Sequence, residues 1–146
     1  MLDELVDESK LILLVEDNPD DAELSLMALR ENRLVNEIEH VWNDEEALQF
    51  LSDESHRSLL RLVLLDLKLP KIEGLEVLNQ IQTNRRTKRL PAVILTSSGE
   101  DDDIAASYDL GVNSYIRKPI DFDQFVECVK HVGLYWLVLN MIPPDI

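Results

Sequence analysis

Short apolar runs alternate with stretches whose apolar residues recur at helical spacing, five times along the chain. Leu11 to Val15 (LILLV) is continuously apolar, as expected of a parallel strand covered on both faces. Glu16-Asp17-Asn18-Pro19 ends it. Asn18 predicts a helix N-cap and Pro19 the first helical residue, with Ala22, Leu26 and Leu29, supported by Met27, on the apolar stripe. Glu37 to Trp42 predicts a second strand, interrupted by Glu39 and His40, and Asp44 caps a short helix carrying Ala47, Leu48 and Leu51. A polar loop from Ser52 to Leu60 leads to a third strand, Leu62 to Leu65, ending on Asp66. Pro70 to Gly74 predicts a loop, and Leu75, Leu78 and Ile81 mark the next helix. Pro91 to Thr96 (PAVILT) is the fourth strand. The acidic turn Glu100 to Asp103 suits a helix start, and Gly111 suits its C-terminal cap. Asn113 to Arg117 is the last strand, and Asp121 starts a helix with Phe122, Phe125, Val126 and Val129.

Strands joined by helices of this length form right-handed crossovers and a parallel sheet, so the pattern predicts a three-layer α/β sandwich. The length of 146 residues fits one domain with a substantial core, and 45% hydrophobic residues mark it as globular. The lone Cys128 excludes an intramolecular disulfide, fits a reducing compartment and is expected to be a packing residue. The tail 1–10 is acidic and has no apolar run, unlike a secretory signal. The longest apolar tract, Gly133 to Ile142, contains Asn140 and falls short of the roughly 20 apolar residues a membrane span needs. A cytoplasmic protein without membrane contact is expected. Net charge is -15, from 29 acids against 14 basic residues, which repels nucleic-acid phosphates and anionic membranes. Arg85-Arg86-Thr87-Lys88-Arg89 is the exception and is expected to be a solvated helix end. Direct nucleic-acid binding is not expected.

In open α/β sheets the functional groups collect at the carboxyl ends of strands. Glu16 and Asp17 follow the first strand, Asp66 the third and Lys118 the fifth, while Thr96 ends the fourth. Three carboxylates brought together repel one another, and a hard divalent cation removes the conflict. Oxygen ligands with open water positions suit Mg²⁺, and no His or Cys cluster is available for zinc or copper. A carboxylate beside Mg²⁺ can attack a phosphoryl group, giving an acyl phosphate on Asp66, with Lys118 adding positive charge and Thr96 a hydroxyl. The Lys118-Pro119 bond is open to either isomer.

These residues lie in VEDNPDD, LLDLKLPKIEG, VILTSS and YIRKPID, and through them nearly the whole chain resembles the bacterial two-component receiver family. The resemblance implies a doubly wound, flavodoxin-like five-stranded sheet in the order 2-1-3-4-5. It implies Asp66 as phosphoacceptor and Glu16, Asp17, Asp66 and the Lys68 backbone carbonyl as Mg²⁺ ligands. Thr96 becomes the switch hydroxyl, Tyr115 its aromatic partner and Lys118 the phosphate-contacting lysine. Within the family, DNPDDAELSLMAL, SYDLGVNSYIRKPIDFDQF and GLYWLVLNMIPP are similar to the small regulators that partner cyanobacterial phytochrome histidine kinases. Lys68 stands where Asn is common, and Arg61-Leu62-Val63 replaces a more usual Pro-Asp-apolar sequence. Neither departure removes a residue the chemistry requires.

The expected organisation is an acidic tail over 1–10, a receiver domain over 11–132 and a C-terminal extension over 133–146. The apolar positions Val132, Trp136 and Leu139 continue into that extension, where both sides are apolar, so a homodimer contact is expected there. Without an attached output domain, the signal is expected to pass to an unidentified protein partner, with no turnover of an external substrate. A haloacid-dehalogenase-type phosphohydrolase needs a second Asp where Lys68 stands, and a cap domain. A flavodoxin-like electron carrier needs a phosphate loop where Glu16-Asp17 stands. A receiver-like module that no longer takes phosphate usually loses the acidic pair, the Asp or the Lys, all present here.

Overall fold

The computed structural model describes residues 11–32, 37–53, 60–67, 72–96, 101–118, 121–139 and 141. Strand β1 (Leu11–Val15) is buried at every position and pairs in parallel with β2 (Glu37–Val41) on one side and β3 (Leu60–Leu67) on the other. β3 pairs in parallel with β4 (Ala92–Thr96), and β4 with β5 (Ser114–Arg117). The strand order is therefore 2-1-3-4-5, the flavodoxin-like order expected from the sequence. The crossovers are the helices α1 (Pro19–Asn32), α2 (Asp44–Ser52), α3 (Ile72–Thr83) and α4 (Asp101–Asp109), and α5 (Phe122–Gly133) follows β5.

Successive strand residues point to opposite faces, and this alternation sorts the core into two layers. Leu11, Leu13 and Val15 join Ala47 and Leu51 of α2 and Val77, Leu78 and Ile81 of α3. Ile12 and Leu14 join Ala28 and Leu29 of α1 and Phe125, Val129 and Val132 of α5. Because both faces are covered, β1 is apolar throughout. β2 has one free edge and alternates exposed Glu37 and Glu39 with half-buried Ile38 and His40.

Local signals set the helix ends. Asn18 Oδ1 accepts the N–H groups of Asp20 and Asp21, each at 3.0 Å, and Pro19 opens α1 as expected. Asp121 caps α5 by accepting from Asp123 and Gln124. Gly111 adopts φ +88°; its N–H donates to the Tyr108 carbonyl at 2.9 Å, and Val112 N–H donates to that of Ser107 at 3.1 Å. That pair of bonds around a left-handed glycine ends α4.

Several local expectations shift. Asn43, not Asp44, caps α2: its extended backbone lets Oδ1 accept Glu46 N–H at 2.8 Å, and Asp44 becomes the first helical residue. Leu60 lies in β3 and is buried rather than in a loop. Gly74, expected in a loop, lies within α3, where packing of Val77, Leu78 and Ile81 outweighs a glycine cost of about 1 kcal/mol. Met27 (48% exposed) and Phe122 (39% exposed) lie off the apolar stripe. The cationic cluster follows the end of α3, and within it Thr87 is buried and its hydroxyl donates to the Ile81 carbonyl at 2.8 Å. Residues 54–59 of the expected polar loop and 70–71 before α3 lie outside the described residues.

A π-helical segment, Leu134–Leu139, continues from α5, and its Leu134 and Trp136 pack on the α1/α5 side of the core. Tyr135 is exposed and meets Trp136 edge-on, centroids 4.8 Å apart. Cys128 is half-buried in α5, and burial raises its thiol above the usual range. Among the described residues, no helix is long and apolar enough to cross a membrane.

Candidate functional site

Glu16 leaves β1 at the carboxyl edge of the sheet. Its N–H donates to the Val41 carbonyl at 3.1 Å, adding one contact beyond the strand. Its side chain is fully buried, and Oε1 accepts the Asn18 N–H at 2.9 Å. Asn18 therefore serves two structures, donating its own N–H to Glu16 and capping α1 with its side chain. Oε2 of Glu16 is buried without a hydrogen bond, 3.9 Å from Lys118 Nζ. Asp17, the next residue, is exposed.

Thr96 closes β4, is fully buried and pairs with Leu67 of β3 and Arg117 of β5. Its carbonyl accepts the Lys118 N–H at 2.7 Å. Lys118 is thus held at two points, by its backbone to β4 and by its ammonium beside Glu16. Tyr115 pairs with Ile94 and packs against the α2/α3-side cluster. Two-residue periodicity puts Thr96 on the same face as Ile94, so Tyr115 and Thr96 share that face on adjacent strands.

Asp66 lies inside β3, paired with Leu95, rather than following the strand. The strand ladder extends two residues further than the apolar run, to Leu67. The Asp66 side chain, Lys68 and Pro119 lie outside what is described, and with them the Lys68 carbonyl and the Lys118-Pro119 bond. Among the described residues, no three His, Cys, Asp or Glu side chains gather into a metal-binding group; Glu16 and Asp17 supply two acids.

The donors fit a hard cation. Glu16 brings a fully buried carboxylate oxygen to this edge and Asp17, the next residue, an exposed carboxylate, so both present oxygen. Oxygen ligands with room for water suit Mg²⁺ better than zinc or copper.

One residue of this edge escaped sequence reasoning. His40 Nε2 lies 3.0 Å from the Glu16 carbonyl oxygen, and since a carbonyl only accepts, Nε2 carries the proton. The signal was a polar residue in the second strand, where it counted only against the strand.

The response regulator receiver domain model matches residues 12–130. The chain is 42% identical over 135 residues to the probable methanogenesis regulatory protein FilR2 of Methanothrix harundinacea (strain 6Ac), covering 91% of this chain and 87% of that protein. It is similar in structure to the phosphorylated cyanobacterial phytochrome response regulator RcpA, with TM-score 0.80, 39% identity and coverage of 92% and 99%. It is also similar to the Mn²⁺-bound form of the response regulator Rcp1, a protein of Synechocystis sp. (strain ATCC 27184 / PCC 6803 / Kazusa). That match has TM-score 0.77, 36% identity and coverage of 92% and 99%. With a family model spanning most of its length and the receiver strand order in its sheet, the chain belongs to the response regulator receiver domain family of two-component systems.

Proposed function

We propose that this receiver domain accepts a phosphoryl group on Asp66 from a histidine kinase in a Mg²⁺-dependent reaction and signals through protein contacts. The observation that carries the reading is the convergence of Glu16, Asp17, Thr96 and Lys118 at the edge where β3 presents Asp66, with Glu16 Oε2 buried beside Lys118. Receiver domains are phosphorylated by histidine kinases and bind Mg²⁺ or Mn²⁺ at the phosphorylation site.

In the proposed reaction an Asp66 carboxylate oxygen attacks the phosphorus of a phosphohistidine. The O–P bond forms as the P–N bond breaks, and the electron pair leaves on the imidazole. Glu16, Asp17, Asp66 and the Lys68 carbonyl would hold the cation, which would supply positive charge to the phosphoryl oxygens. Lys118 supplies further positive charge to the phosphoryl group. Thr96 then donates its hydroxyl to a phosphoryl oxygen, and Tyr115, on the same sheet face, fills the space that opens. Reversing a 1:99 equilibrium takes roughly 5.5 kcal/mol, within reach of a few charge-assisted hydrogen bonds at roughly 1.5–3 kcal/mol each. The domain is a switch without turnover of an external substrate and works in the cytoplasm.

The kinase partner is a phytochrome, a reading supported by the similarity to RcpA, named as a phytochrome response regulator. The receiver spans 11–132, and the extension 133–146 forms a homodimer contact, supported by the exposure of Tyr135 and of Met141, while Trp136 packs on its own domain.

Intact mass after incubation with acetyl phosphate tests the chemistry. One hydroxylamine-labile phosphate is expected with Mg²⁺, none without it and none on Asp66→Asn. Phosphate on Asp66→Asn, or none on the wild type even from a phosphorylated kinase, overturns the reading. Thr96→Ala is expected to take phosphate while its partner affinity no longer responds. A wild-type binding response in that variant rules out the hydroxyl as the switch.

A further inference from the structure

We propose that His40 is a positioning residue for the acidic pair, setting the Glu16–Asp17 peptide and through it the affinity of the site for a divalent cation. The inference rests on the phosphorylation-site reading above. β2 ends at Val41, and the N–H of Trp42 is committed to Glu46 Oε1 at 2.9 Å. The His40 imidazole reaches the Glu16 carbonyl from 24 residues away in sequence.

Strand β2 therefore grips Glu16 twice, the Val41 carbonyl taking its N–H and His40 its C=O. Both peptide planes flanking Glu16 are held. The Glu16 carbonyl and the Asp17 N–H share one rigid plane, so fixing the carbonyl fixes the direction in which the Asp17 Cα departs. The imidazole is itself braced by the Trp42 ring, with centroids 4.2 Å apart and planes tilted by 55°. Groups that orient metal ligands from behind commonly change metal affinity by about 10–100-fold when removed. A contact acting through the backbone belongs at the lower end of that range.

The test is Mn²⁺ binding to the full chain, followed by the electron paramagnetic resonance of free Mn²⁺, with thermal unfolding recorded for every variant. His40→Phe keeps a ring and removes the donor. His40→Gln returns an amide N–H near the Nε2 position, whereas the shorter His40→Asn does not. About tenfold weaker Mn²⁺ binding is expected for Phe and Asn, with Gln within about threefold of wild type, at unfolding temperatures that do not follow this order. Should His40→Phe not fold, the Asn and Gln pair carries the same comparison. Wild-type affinity in His40→Asn, or equal loss in Asn and Gln, overturns the proposal. Wild type that binds no Mn²⁺, or Asp17→Asn that binds like wild type, overturns the acidic-site reading and the positioning role with it. The Asp17→Asn control separates that failure from one confined to His40.

Discussion

Strands β1 and β2 pair over five consecutive residues, yet β1 is buried at all five positions whereas β2 alternates exposed and half-buried residues before Val41. The partners Leu13 and Glu39 show the contrast within one pair: Leu13 is fully buried, and Glu39 is exposed. β1 is covered by α2 and α3 on one face and by α1 and α5 on the other. Every position in it is spoken for, so its chemistry waits until Glu16, after the strand ends. Among the described residues β2 pairs with one strand, which leaves room for a polar side chain to turn back over the end of β1. The central strand supplies a rigid origin for the acids. The edge strand supplies the hydrogen bonds that aim them.

The comparison predicts a steep gradient of sensitivity. Leu13→Ala removes a side chain packed in the α2/α3-side cluster and is expected to cost about 2–5 kcal/mol by urea denaturation. A loss under about 1 kcal/mol there breaks the contrast. Between the extremes lies Gly111→Ala. Its φ of +88° disfavours a Cβ, which also meets Gln82 Cδ at 2.7 Å. The Gln82 side chain can swing aside, so the remaining strain predicts about 1–2 kcal/mol. At the other end, Glu39→Thr is expected to change stability by no more than about 0.5 kcal/mol, as an exposed substitution on an edge strand. A large effect from it makes the edge a structural element in its own right.

Much of this was legible from the chain. The strand order was expected from the family resemblance, and from the residues themselves LILLV was expected as β1, with helix starts at Asn18 and Asp121 and a helix end at Gly111. These features are local or periodic: a cap depends on the residues beside it, and a doubly covered strand must be apolar at every position. The shifts have another origin. Asn43 and Asp44 are both competent caps, and the backbone leaving β2 selected the former. Met27 matched an apolar pattern whose buried face is instead formed by Ala22, Ser25, Ala28 and Leu29 against α5 and the sheet. Of the expected site, Glu16, Asp17, Thr96, Tyr115 and Lys118 fall at or beside the carboxyl edge, and β3 carries Asp66 there by register.

By itself the sequence determined which segments become strands, where helices start and stop, and which acids, hydroxyl and lysine stand just after the strands. Each of these follows from residues within a few positions of one another. Only the tertiary structure decided the register in which the strands pair and which polar side chains meet at their ends. That choice brought His40 onto the Glu16 carbonyl and Lys118 to 3.9 Å from its carboxylate, joining residues 24 and 102 positions apart along the chain (118 minus 16 for the latter). Contacts so distant in sequence leave no local pattern. They exist because burial of the apolar strands sets the order of the sheet, and the polar residues at its edge are carried to where that order puts them.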